Sequence, residues 1–128
     1  MRLGEGDVSD RHRLDPRAHL YRILQAADVV NTAVFETDWE DYEQDVMLRS
    51  AVERQFITIG GALAELLRLE PDLERWVSRA RDLIALRETL IGRYWEPQHR
   101  AVWASVHEDL PVLRREVEEL LAEMGAAG

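Results

Sequence analysis

The chain has 128 residues, 46% of them hydrophobic and 32% charged, with a formal net charge of −9 and no cysteine. That length suits one domain with a substantial core. Missing cysteines exclude disulfide frameworks and thiolate chemistry, and the acidic balance argues against a general nucleic-acid binder, whose affinity comes from neutralising phosphates.

No apolar run approaches the 18 residues of a membrane span. The opening MRLGEGDVSDRHRLD lacks the apolar middle of a signal peptide, so a cytoplasmic protein without a membrane partner is expected. Residues 1–13 read as a flexible tail and 14–124 as a single helical domain. Asp15 and Pro16 are helix-start signals. After them Leu20, Ile23, Leu24, Ala27, Val30 and Val34 recur at three- and four-residue spacing, which predicts an amphipathic helix. TDWEDYEQD reads as an acidic connector in which Asp38 or Asp45 caps the next helix. Leu48, Val52, Phe56, Ile59, Leu63 and Leu66 then define a second long helix, ended near Pro71. Inside it the pair Gly60-Gly61 costs about 1 kcal/mol per glycine relative to alanine, which implies the close approach of a neighbouring helix.

A short helical turn is predicted over 72–77, then a helix through Leu83, Leu86, Leu90 and Ile91 that stops at Gly92. Val102, Trp103, Val106, Leu110, Leu113, Val117, Leu120 and Leu121 carry helix to the end. There Pro111 either kinks one helix or starts another capped by Asp109. No segment alternates as a strand would. The expectation is an all-α, four- to five-helix up-and-down bundle.

Charge is uneven. From Arg75 to Arg100 six arginines face three acids (Asp82, Glu88, Glu96), a local net of +3 that leaves −12 elsewhere. Such a patch suits a small anion or RNA, or is a chance cluster of solvated arginines. The four histidines, His12, His19, His99 and His107, form no metal-ligand pattern, and no phosphate-binding glycine loop is present. Neither metal nor cofactor is expected.

Three stretches in order, AVERQFITIGGALAEL, LIALRETLIGRYW and VWASVHEDLPVLRREVEELL, resemble the HepT-like branch of the HEPN domains from about Leu14 to Leu121. The resemblance implies a toxin-type ribonuclease of a toxin–antitoxin pair, cutting tRNA or another RNA without a metal in the cleft of a homodimer. Its partner would be a minimal nucleotidyltransferase antitoxin. The family's Arg-x4-His-x-Tyr signature falls on Arg87, Gly92 and Tyr94. Arg87 thus becomes the phosphate-holding catalytic residue and Tyr94 the candidate site of AMP attachment, while the histidine position is glycine. Glu88 stands where asparagine is usual, and Ile57 and Gly61 where two glutamates are common; Arg54 matches.

Cleavage by a neighbouring 2′-hydroxyl needs a group to move a proton and a cation to hold the phosphate. His99, at Arg-x5-His spacing from Arg93, is the alternative proton carrier, unless it is a solvated histidine in a first helical turn. Arg54 and Arg93 are candidate phosphate contacts. Arg87 instead pairs with Asp82 or carboxylates near Glu88 if its face is solvated. Without proton transfer on the motif the activity is weakened. The other reading is a non-catalytic helical dimer that binds a nucleotidyltransferase or RNA.

Overall fold

The computed structural model describes residues 15–92 and 98–127, with side chains described to residue 125. The expected tail over residues 1–13 therefore lies outside the described residues. Helix α1 spans Pro16–Ala33, α2 Trp39–Gln44, α3 Val46–Leu69, α4 Ala80–Gly92, α5 His99–Glu108 and α6 Leu110–Ala127; a 3₁₀ turn covers Pro71–Trp76. Among the described residues there is no strand. The all-α bundle is as expected, with one correction. The acidic connector contains α2, because Trp39 and Tyr42, one helical turn apart, both turn inward, Tyr42 completely.

Local chemistry sets the helix boundaries. The Asp15 carboxylate accepts from the Arg17 amide at 3.0 Å ahead of Pro16. Asp38 caps α2 through the Asp41 amide (2.9 Å) and Asp45 caps α3 through the Leu48 amide (3.0 Å). Each of these carboxylates satisfies an amide that has no partner within its helix. Pro111 sits in the first turn of α6, a separate helix. Asp109 does not cap it with its side chain, which instead meets Arg79 at 3.2 Å.

Helix α3 is the axis of the bundle, packed by α1, α4, α2 and the 3₁₀ turn, while α6 closes against α1 and α5. Its Val52, Phe56, Ile59, Leu63 and Leu66 are buried with Leu20, Ile23 and Val30 of α1, Leu83 of α4 and Leu113 and Val117 of α6. Ile91 is the exception among the expected core positions: it is 48% exposed at the end of α4. With a partner on several sides, α3 becomes a rigid rail on which flanking side chains are held.

Candidate functional site

The rail is closest to its neighbour at the glycine pair. A Cβ on Gly60 would lie 2.4 Å from the Arg87 Cβ and 2.9 Å from the Leu83 carbonyl oxygen; one on Gly61 would lie 3.3 Å from the Arg87 Nε. No larger residue fits at 60 without moving α4. The two glycines therefore form a bed along which the aliphatic stem of Arg87 runs, delivering the guanidinium over Gly61. Arg87 Nε is buried and donates to no partner. Among the described residues Arg87 makes neither ion pair nor hydrogen bond, so the pairing with Asp82 weighed from the sequence does not form. A desolvated, unpaired guanidinium donor is costly unless an anion completes it.

The expected basic patch is smaller than its residue count. Arg79 is taken by Asp109 at 3.2 Å and Arg81 by Glu74 at 2.7 Å. Arg75 lies over the Trp76 ring and Arg100 over Trp39, 3.9 Å from the ring centroid. Arg87 remains uncommitted, and so does Arg54, which is exposed on α3. Arg54 and Gly61 are seven residues apart, close to two helical turns, so both lie on one face of α3.

Gly92 is the last residue of α4 and is exposed; among the described residues nothing lies within 4 Å of where its Cβ would be. Arg93 and Tyr94, the other expected site residues here, lie outside the described residues together with Trp95. His99 opens α5. It sits in the first turn, partly solvated: its side chain is 30% exposed, its Nδ1 is buried without a hydrogen bond among the described residues, and that atom stands 3.6 Å from a carboxylate oxygen of Glu53. Glu53 and Gly60 are seven residues apart on α3, so the His99 and Arg87 contacts occupy the same flank of the rail, roughly 10 Å apart along its axis.

Around Glu53 lies an aromatic cluster. Tyr42 and Trp103 rings are 4.8 Å apart, Trp39 and Trp103 6.3 Å, and His107 meets Trp103 edge-on at 4.5 Å. Trp103 is thereby the core aromatic its spacing suggests. Tyr42 Oη is buried with no partner. Burial above all, and then the nearby Glu53 charge, push its ionisation well above the ordinary phenol range, so it stays protonated. Glu53 and Tyr42 were not singled out from the sequence, and Arg100 stood out there only as a member of the basic patch. Glu53 is one of many surface carboxylates until folding brings α5 beside it. Among the described residues no three His, Asp or Glu side chains are grouped to hold a metal ion, and no helix is long and apolar enough to cross a membrane.

The model of the Ribonuclease HepT-like family matches residues 23–120, and the chain belongs to that family. It is 28% identical over 109 residues, 83% of this chain and 94% of the other, to a protein of Caldanaerobacter subterraneus provisionally named an RNase. A Methanocaldococcus jannaschii protein, also provisionally named an RNase, is 30% identical over 81% of this chain and 94% of its own. A Thermococcus cleftensis relative bearing the ribonuclease HepT name is 29% identical over 80% of this chain and 92% of its own. No solved structure matches.

Proposed function

We propose that this chain is a toxin-type ribonuclease that cuts RNA, tRNA in the first instance, without a metal in a cleft shared by two copies. It acts in the cytoplasm and is silenced by a minimal nucleotidyltransferase that attaches AMP at Tyr94. Arg87 holds the scissile phosphate, Arg54 and Arg93 hold neighbouring phosphates, and His99 moves the proton. The observation that carries this reading is the buried, unpartnered Nε of Arg87 over the glycine bed. A fork of donors held in place and lacking a carboxylate is suited to a phosphate whose charge grows during the reaction. The names of the relatives support the same activity.

One observation favours a second reading. The motif position is bare at Gly92, and general acid–base help is worth about 10²–10⁴-fold in rate, so a dimer that binds without cutting would look the same there. Purified chain incubated with tRNA in chelator separates the two. Slow cleavage is expected, lost in Arg87→Ala and raised in Gly92→His, because the space beside residue 92 is open among the described residues. No cleavage by wild type or by Gly92→His would leave the binding reading in its place.

A further inference from the structure

The activity proposed above lacks a proton carrier on its motif, and the fold places an imidazole on the same flank of α3. We infer that Glu53 is the positioning residue for His99. Its carboxylate accepts a hydrogen bond from the Nδ1–H, fixes the ring at the start of α5 and leaves Nε2 free as the base toward the RNA 2′-hydroxyl. This rests on the ribonuclease reading for its chemistry, though the Glu53–His99 pairing itself rests on geometry.

Three features argue for it. Among the described residues His99 Nδ1 is buried without a hydrogen-bond partner, while the Glu53 oxygen stands 3.6 Å away. Catalytic hydrogen bonds are often this long before substrate binds and tighten afterwards. Both side chains are 30% exposed, so the pair is shielded on one side and open on the other. A ring with Nδ1 inside and part of its side chain exposed can present Nε2, on the other side of Cε1, to the open face. Lastly, Glu53 lies against fixed surroundings, beside the fully buried Tyr42. The Tyr42 phenol beside it stays protonated. Arg49, one turn earlier on α3, is itself tethered to the Glu43 carbonyl. An imidazole whose one nitrogen is held by a carboxylate presents the other as acceptor, in a fixed tautomer.

The step balances without a further reagent. His99 Nε2 takes the 2′-hydroxyl proton as that oxygen bonds to phosphorus, and the P–O5′ bond breaks. The 5′-oxygen leaves with the bonding pair and takes a proton from water, and His99 returns its own to solvent. The products are a 2′,3′-cyclic phosphate and a 5′-hydroxyl end.

The test is nitrogen-15 NMR of the His99 ring together with tRNA-cleavage kinetics, in wild type, Glu53→Ala, Glu53→Gln and His99→Ala. The ring is expected to carry its proton on Nδ1 in wild type and to revert to the Nε2–H form in Glu53→Ala. In that variant kcat falls by about 10–100-fold at unchanged KM, and Glu53→Gln, which keeps an acceptor oxygen, retains the wild-type tautomer and most of kcat. Circular dichroism identifies any variant that fails to fold, and the milder Gln change then carries the comparison. A ring spectrum that is identical in Glu53→Ala overturns the inference, as does undiminished cleavage by His99→Ala. If the ring responds as expected but wild type cuts no RNA, the ribonuclease reading falls and the pairing stands.

Discussion

A histidine buried without a partner is a liability that pH exposes. His19, on the inner face of α1, is 6% exposed, and among the described residues neither ring nitrogen has a hydrogen-bond partner. Burial first, and the Arg22 charge second, lower its pKa below the ordinary 6.5, against smaller raising effects from Glu65 and Asp15. The folded protein thus holds fewer protons at this site than the unfolded chain once the pH drops toward 6.5. Stability rises with pH wherever the unfolded state binds more protons. It is therefore fully present above the unfolded value, and is lost as the pH falls through 6.5 toward the lowered folded value. Urea midpoints compared at pH 7.5 and 5.5 should fall more in wild type than in His19→Leu, whose side chain cannot charge. Equal falls would show that the ring gains a partner on protonation. Residues of this kind are poorly legible in sequence. His19 gives no sign of being buried beside Leu20, and the partner of His99 lies on a distant helix. Arg87, by contrast, was singled out in the sequence because its spacing to Gly92 and Tyr94 resembles a motif.

At the scale of helices, boundaries were legible where chemistry is local. Asp15 with Pro16, Asp45 and Pro71 all mark the ends their side chains or rings dictate. Helix α2 was not, since six residues hold too few positions for a period and the stretch TDWEDYEQD is strongly acidic; tertiary burial of Tyr42 decides it. The glycine pair was legible as a close approach, but not as a cradle for one side chain. The distinction can be measured. In Gly60→Ala the added methyl meets the Leu83 carbonyl and the Arg87 Cβ, and at 2.9 Å and 2.4 Å α4 must shift. Overpacking of that kind costs about 1–3 kcal/mol, against roughly 1 kcal/mol gained in helix propensity. Gly60→Ala should therefore lower the urea midpoint. Gly61→Ala meets the flexible Arg87 guanidinium at 3.3 Å, so it should be close to neutral in stability. Equal effects of the two changes would mean that α4 is free to move and that the cradle is not rigid.

For the molecule as a whole, the proposed activity asks how an acidic chain of net charge −9 would gather enough positive charge to hold RNA. With Arg79 and Arg81 already neutralised by carboxylates, one copy offers few free guanidinium groups, and sequence-independent RNA affinity scales with the phosphates neutralised. A twofold pair doubles them at one place. The solvent side of α3 suits such a contact. Met47, Arg54 and Gly61 succeed one another at intervals of seven, so they form a line along the helix. Met47 is 83% exposed, Arg54 is exposed, and the Arg87 guanidinium lies over Gly61. In the proposed dimer, a partner laid along that line would bury the methionine and bring two copies of Arg87 to a common furrow. Light scattering at micromolar concentration should give twice the 14.8 kDa chain mass. Met47→Glu should yield the monomer and reduce tRNA cleavage with it. Trp76→Glu is the matched control: Trp76 is 56% exposed, but lies with Leu73, Leu120 and Met124 in a separate cleft. A dimer that survives Met47→Glu and dissociates in Trp76→Glu would move the interface to that cleft, and with it the two arginines away from each other.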